Sequence, residues 1–427
     1  MEDWRPALLQ HRLRHSGHTA GAPPALPMVR RRATQALTIY VHIPFCIQKC
    51  GYCDFNAYLY GDHLAHTYLA ALEREITHAA SKRPWTEYSV LSVYFGGGTP
   101  STLAPTDLTR LLGMIGDSFP VQAEAEISLE ADPGTIDLAS LETLRAGGFN
   151  RLSLGVQAFD DDLLDKLDRL HSAAEARGAL VWARRAGFLD LNLDLMFGLP
   201  GQSMTAWEAS LQEAIAFTPT HVSVYGLTIE ERTPFYRRQQ LGKLALPDEE
   251  TQAAMFERAD QLLTAAGYVH YEISNYAMPG WRSRHNLHYW RHGEYLGFGA
   301  GAHAYLEGYR MENEPLPGRY IQAIAERGSA VRMSECIDRE RRLHEGLMVG
   351  LRLRQGIDLA AFLHQYGVSL ETAYAAPIAE LTRAGYLQVT AGHLRLSDHG
   401  RLVADAVLSQ LVAAEAEAPS SSAEPPT

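Results

Sequence analysis

Tyr40-Val-His-Ile-Pro-Phe-Cys-Ile-Gln-Lys-Cys-Gly-Tyr-Cys-Asp-Phe55 carries three of the chain's four cysteines, Cys46, Cys50 and Cys53. The spacing is C-x3-C-x2-C, and a short apolar run that reads as a strand precedes it. Thiolates this close in sequence can converge on one small metal centre. On an iron–sulfur cube, three protein ligands leave the fourth iron open to a group that is not protein. A disulfide framework belongs to short, cysteine-dense secreted chains and does not suit four cysteines in 427 residues. Structural zinc needs four closed ligands. His42 or the distant Cys336 could supply the fourth, but no second paired knuckle is present.

The composition is that of a globular protein, 46% hydrophobic and 21% charged. A formal net charge of −12 argues against a general nucleic-acid binder. No apolar run approaches the roughly 20 residues that span a bilayer. Few cysteines suit a reducing cytoplasm, where an oxygen-sensitive centre is also favoured. Residues 1–36, with six arginines and the segment Gly21-Ala-Pro-Pro-Ala-Leu-Pro27, have no apolar signal core and read as a mobile basic tail. Met28 as the true start, or an organelle-targeting peptide, are the other readings. Residues 414–427 read as a disordered tail.

Between the tails, strand-like runs alternate with helical ones. Strands are expected at Leu37–Ile43, Leu91–Phe95, Glu126–Glu130, Arg151–Gln157, Leu189–Phe197 and His221–Leu227. Helices are expected at about 64–81, 106–118, 138–146, 160–186 (broken near His171), 204–217 and from Asp248 to about Ala266. Six β-α alternations predict an α/β fold, a parallel sheet with helices outside. Such folds place their chemistry at the carboxyl ends of the strands. The cysteines follow strand one, Gly96-Gly-Gly-Thr-Pro-Ser101 follows strand two, Glu130 ends strand three, Gln157 ends strand four, and Asp194 lies late in strand five. One such feature is unremarkable; five in a row suggest one cavity. Three glycines are often only a tight turn, but here they also let backbone approach a ligand closely.

C-x3-C-x2-C with Tyr52 before the last cysteine resembles the radical S-adenosylmethionine (radical SAM) superfamily signature. Tyr40-Val-His-Ile-Pro-Phe-Cys46, Phe95-Gly-Gly-Gly-Thr-Pro-Ser101, Leu152-Ser-Leu-Gly-Val-Gln157 and Asn192-Leu-Asp-Leu-Met-Phe-Gly-Leu-Pro200 together resemble the HemN/HemW subfamily. That subfamily includes the oxygen-independent coproporphyrinogen III oxidase and its relatives. The resemblance implies a partial (β/α)6 barrel. It also implies a [4Fe-4S] cluster on Cys46, Cys50 and Cys53, with SAM chelating the open iron. It further implies that Tyr40 packs at the SAM–cluster site and that Gly97, Gly98 and Thr99 hold the methionine end. Glu130, Gln157, Arg169 and Asp194 then contact the rest of SAM. Taken alone, Arg169 reads as a solvated helix charge with Asp165 at i−4.

Two features separate an oxidase from a heme chaperone within this resemblance. The oxidase pattern continues to a further cysteine where this chain has Phe55. His285-Asn-Leu-His-Tyr-Trp290 matches H-N-x-x-Y-W, which resembles the heme-binding motif of the chaperone branch. Imidazole ligates heme iron, and aromatic rings pack on a porphyrin face; the same residues could equally build a core layer. His285 is the expected iron ligand, His288 the reserve, and Asn286, Tyr289 and Trp290 complete the motif. His303, in Gly297-Phe-Gly-Ala-Gly-Ala-His303, is expected to line the same cavity. The function implied is heme binding and transfer to hemoproteins such as respiratory enzymes. Coproporphyrinogen decarboxylation, or another radical SAM reaction such as methyl transfer, is the alternative. A homodimer and a peripheral membrane contact enter by resemblance only.

The carboxyl-terminal third changes pattern. A barrel with its heme-motif extension is expected over 37–311 and a separate domain over 312–413. Within the latter, Leu343–Leu353, Leu359–Tyr366 and Leu370–Ala384 read as helices. A two-stranded wing at 385–397 and a last helix at Asp398–Val412 complete a winged-helix-like unit. Arg352, Arg354 and Arg383 read as surface charges and Cys336 as a free thiol.

Overall fold

The computed structural model describes residues 34–413; residues 1–33 of the tail expected over 1–36, and the tail expected over 414–427, lie outside the described residues, while Gln35 and Ala36 belong to the first strand and not to a tail. Strand β1 (Gln35–Ile43) enters the sheet, and β2 (Phe45–Cys46) and β3 (Tyr58–Leu59) then bracket the cysteine loop, pairing in parallel. The alternation that follows is α1 (Asp62–Ser81), β4 (Tyr88–Gly97), α2 (Pro105–Ser118), β5 (Val121–Ala131), α3 (Leu138–Ala146) and β6 (Arg151–Gln157). It continues with α4 (Asp161–Lys166), α5 (Ala173–Arg185), β7 (Asp190–Phe197), α6 (Met204–Ala216) and β8 (His221–Gly226).

These strands are apolar almost throughout because both faces are covered. Leu37, Ile39, Val41, Val93, Phe95, Leu129, Leu152, Leu154 and Leu193 are all fully inaccessible. Helix starts are set chemically. Asp137 with Ser140, and Ser172 with Glu175, form reciprocal capping boxes at α3 and α5. The helical run expected over 160–186 breaks because Asp168 takes a left-handed φ of 56° after α4, and Ser172 then caps a new helix. That break turns Arg169 inward.

After α7 (Pro234–Gln240) and α8 (Glu249–Ala265), capped by Asp248 as expected, come β9 (Val269–His270), β10 (Asn275–Ala277) and α9 (Arg284–Trp290), the H-N-x-x-Y-W helix. Then follow β11 (Glu294–Phe298), β12 (His303–Leu306), β13 (Tyr309–Asn313), α10 (Pro317–Arg327) and β14 (Val331–Cys336). The sheet has twelve strands in the order β14-β13-β12-β11-β1-β4-β5-β6-β7-β8-β10-β9. It stays open, since its two end strands do not pair with each other. The parallel run has one strand more than the sequence suggested: β11 lies parallel to β1, with Tyr40 opposite Gly297. A five-residue strand interrupted by Gly297 shows too little alternation to be read as one.

Beyond β14, α11 (Arg339–Gly350) opens a second apolar cluster running from Leu343 to Leu411. The wing is three-stranded, β15 (Ile357–Asp358), β17 (His393–Leu396) and β16 (Leu387–Thr390) in spatial order. The expected Leu370–Ala384 and Asp398–Val412 helices are each interrupted, at Tyr374 and Val403. No helix among the described residues is long and apolar enough to cross a membrane.

Candidate functional site

Two cavities lie on either side of one wall. The first, about 410 Å3, opens at the carboxyl ends of the parallel strands. It gathers Cys46, Cys50 and Cys53, Gly97, Gly98 and Thr99, Glu130, Gln157, Arg169 and Asp194. Every residue expected at a SAM–cluster site except Tyr40 therefore faces one space.

Its local geometry is demanding. Gly97 has φ +121°, and a Cβ there would stand 2.6 Å from the His42 ring. A Cβ on Gly98 would stand 2.8 Å from the Phe45 carbonyl oxygen and 3.0 Å from Cys46 Sγ. Gln157, at the end of β6, holds φ +65°, a strained state for a residue with a side chain.

The electrostatics are those of charges held away from water. Glu130 accepts from Tyr94 Oη at 2.8 Å and from the Gly97 amide at 3.2 Å, and burial pushes it up to about 7. Burial also raises Asp194, which accepts from Asn192 Nδ2 at 2.8 Å. Arg169 is buried, not a solvated helix charge. Its Nη2 donates to Asp132 at 2.6 Å and to the Gly155 carbonyl at 2.6 Å, and its Nη1 donates to Cys50 Sγ at 3.5 Å. The Arg169 Nε is buried without an acceptor among the described residues. Thr99 Oγ1 donates to Cys46 Sγ at 3.4 Å.

Burial pushes the Cys46 and Cys53 thiols up, so a cationic centre is what would draw them out as thiolates. Among the described residues no three His, Cys, Asp or Glu side chains converge closely enough to hold a metal ion. The donor set fits a larger centre: three thiols around one cavity, Cys46 ending β2 and Cys50 and Cys53 in the loop after it, with an unsatisfied guanidinium N–H and the Glu130 and Asp194 carboxyl groups facing the same space.

The second cavity, about 630 Å3, is lined by Tyr40, Tyr289, Trp290, Tyr295, Met348 and Val349, with His42, His292 and His303. The dividing wall is short. Tyr40 Oη bonds His42 Nδ1 at 3.1 Å, and His42 abuts Gly97 of the first cavity. The Tyr40 ring stacks on Tyr94 at 6.3 Å, and Tyr94 holds Glu130. Tyr40 thus faces the second cavity, because it shares a strand face with His42.

Of the motif residues, Tyr289 and Trp290 line this cavity, and His285 and His288 do not. His285 is 2% exposed, bonded through Nδ1 to Ser92 Oγ at 2.9 Å and through Nε2 to Tyr289 Oη at 3.1 Å. His288 Nε2 bonds the Glu294 carbonyl at 2.7 Å. The Asn286 amide donates to Ser283 Oγ at 3.2 Å, the N-cap of α9. Trp290 Nε1 is buried without an acceptor among the described residues, and Arg352 lies 4.5 Å over its ring.

Comparison with known proteins agrees with the geometry. Residues 40–214 match the radical SAM superfamily, and residues 337–403 match the HemN C-terminal domain. The chain is 37% identical to the heme chaperone HemW of Bacillus subtilis, covering 86% of this chain and 97% of that protein. It is 35% identical to the heme chaperone HemW of Escherichia coli, covering 88% and 98%. The chain belongs to the HemW family. Among solved structures, the Escherichia coli coproporphyrinogen III oxidase HemN aligns with a TM-score of 0.77 and 27% identity, over 90% of this chain and 91% of that one. Membership of the radical SAM superfamily implies a [4Fe-4S] cluster and SAM. Phe55, 66% exposed, lines the first cavity of this HemW-family chain beside Cys53.

Three residues that matter here escaped the sequence reading. Asp132, two positions beyond Glu130, anchors both Arg169 and His171, and its place at a strand end was the signal for it. Tyr94 ties Glu130 to the wall. Asn56 clamps the cysteine loop to residues 244 and 259 positions away, which no local pattern reveals.

Proposed function

We propose that this protein is a heme chaperone built on a radical SAM scaffold, binding heme and passing it to hemoproteins such as respiratory enzymes in the cytoplasm. The observation that carries the reading is the second cavity. Its volume and aromatic lining suit a porphyrin-sized ligand. Motif residues Tyr289 and Trp290 contribute to its wall. In this reading Cys46, Cys50 and Cys53 hold the cluster. Gly97, Gly98 and Thr99 receive the methionine end of SAM, and Glu130, Gln157, Arg169 and Asp194 receive the remainder. A carboxylate can accept from an ammonium or a ribose hydroxyl, and a guanidinium can pair a carboxylate. Similarity to curated heme chaperones over nearly their whole length supports the reading.

The test is hemin titration of anaerobically reconstituted full-length protein, with coproporphyrinogen III turnover assayed in parallel. The expected result is a saturable Soret band, transfer of heme to a heme-free acceptor protein, and no protoporphyrinogen IX. Absence of a Soret change overturns the chaperone reading. Turnover of coproporphyrinogen III establishes the oxidase instead.

A further inference from the structure

We propose that the heme iron is held by His303, and that the motif histidine His285 is a positioning residue rather than the iron ligand. This rests on the heme-chaperone reading above and assigns the ligand within it.

An axial imidazole needs a free ring nitrogen at the surface of the heme cavity. His285 offers neither: it is 2% exposed and both nitrogens are bonded. Its ring is also stacked against Tyr94 at 5.0 Å, with Tyr289 edge-on at 4.8 Å. To reach iron it would have to abandon the Ser92 or Tyr289 hydroxyl and displace an aromatic ring. His288 is tied to the Glu294 carbonyl, and a Cβ on Gly293 would stand 2.2 Å from its Nε2.

Three imidazoles do line the cavity. His42 is bonded on both nitrogens, to Tyr40 and to the Asn56 carbonyl. His292 bonds the Tyr366 hydroxyl at 2.9 Å through Nδ1; its Nε2 has no hydrogen-bond partner among the described residues but is buried facing the Glu345 carboxylate at 3.4 Å, where the carboxylate would have to move aside for an iron. His303 is exposed, lines the cavity, and has no side-chain hydrogen bond or ion pair among the described residues.

The backbone carrying His303 is held firmly, as a ligand requires. It follows a glycine turn in which Gly299 (φ +104°) and Gly301 (φ +73°) admit no side chain. A Cβ on Gly299 would meet the His42 carbonyl at 2.5 Å, and one on Gly301 would meet Asn56 Nδ2 at 2.5 Å. Asn56 Nδ2 donates to the Ala300 carbonyl at 3.0 Å. The turn that presents His303 is therefore bonded to the cysteine loop. His285 acts one step back, orienting the Tyr289 ring that forms part of the cavity wall.

The test compares hemin titrations of reconstituted wild type, His303→Ala and His285→Gln, with and without free imidazole, and with melting temperatures recorded for each. His303→Ala should bind hemin more than about tenfold more weakly and lose the wild-type Soret position. Imidazole should restore that position. His285→Gln should keep the Soret position even where its melting temperature falls. The assignment is overturned if His303→Ala retains the wild-type spectrum and affinity, or if imidazole restores the band in His285→Gln alone. Absence of any Soret change in wild type overturns the chaperone reading itself.

Discussion

The carboxylate of Glu126 accepts the backbone N–H of Arg284 at 2.7 Å, joining strand β5 to the first residue of α9 across 158 positions of sequence. The same carboxylate accepts from the His285 amide at 3.1 Å and from Ser283 Oγ at 3.3 Å. A seven-residue helix has little stability of its own, so the H-N-x-x-Y-W segment depends on this buried acceptor. Glu126→Ala should destabilise the protein by about 1–3 kcal/mol, whereas Ser283→Ala should cost about 1 kcal/mol. Thermal melts measure both. Hemin affinity should fall in Glu126→Ala, because Tyr289 and Trp290 ride on the same helix. A melt and hemin affinity unchanged from wild type would show that packing alone fixes α9.

Gly97 and Gly113 give opposite expectations for the same substitution. Gly97→Ala places a methyl 2.6 Å from the His42 ring at φ +121°, so roughly 1–3 kcal/mol of backbone strain is expected. It also intrudes where the first cavity meets the dividing wall, so on the proposed assignment SAM binding by equilibrium dialysis should weaken. Gly113 lies inside α2 with nothing within 4 Å of a new Cβ. Gly113→Ala should raise stability by roughly 0.5–1 kcal/mol and leave SAM binding unchanged.

Arg169 is the residue whose role depends most on context. Its guanidinium bonds Asp132, the Gly155 carbonyl, Cys50 and Tyr52 at once. A lysine cannot reproduce that fork. Arg169→Lys should keep the fold but weaken SAM binding by roughly tenfold. Arg169→Ala should destabilise by about 3–5 kcal/mol by leaving buried Asp132 without its cation. Calorimetric SAM titration under anaerobic conditions and thermal melts separate the two effects. Equal SAM affinity in Arg169→Lys would reduce this arginine to a structural strut.

Sequence alone carried the strand-end logic well because it is local: Leu138–Ala146, Arg151–Gln157 and Leu359–Tyr366 appear with the expected bounds. The clustering of Cys46, Gly97, Glu130, Gln157 and Asp194 follows from one rule about parallel sheets. What stayed hidden depends on distant partners. β11 is a strand because β1 offers it an edge, not because Glu294–Phe298 alternates. The motif makes His285 the expected ligand, and no local pattern reveals that its nitrogens bond Ser92 Oγ, 193 positions away, and the Tyr289 hydroxyl. Tyr40, expected at the cluster, lines the second cavity and bonds His42, with which it shares a strand face.

Glu75 makes the protein's stability depend on pH in a direction that a buried carboxylate dictates. It is 7% exposed in α1 and accepts from the Gly299 amide at 2.8 Å, Asn313 Nδ2 at 2.7 Å and Tyr320 Oη at 2.7 Å. These bonds tie α1, β13 and α10 to the glycine turn that carries His303. Burial outweighs the three donors and pushes Glu75 up to about 7. Tyr68, its neighbouring hydroxyl, is itself raised by burial and stays protonated. The folded state therefore holds the Glu75 proton more tightly than the unfolded chain, whose carboxyl titrates near 4.3. The contribution is fully present below the unfolded value and is lost as pH rises through about 7. Glu130, also raised to about 7 by burial, adds a term of the same sign. Melting temperatures measured at constant ionic strength should drift down between about pH 4.5 and 7.5 from these groups. Glu75→Gln keeps an acceptor for the Gly299 amide and removes the titration, so its melting profile should be flatter than wild type over that window. A variant profile parallel to wild type would mean that the Glu75 carboxyl titrates near its ordinary value, with its three donors outweighing its burial.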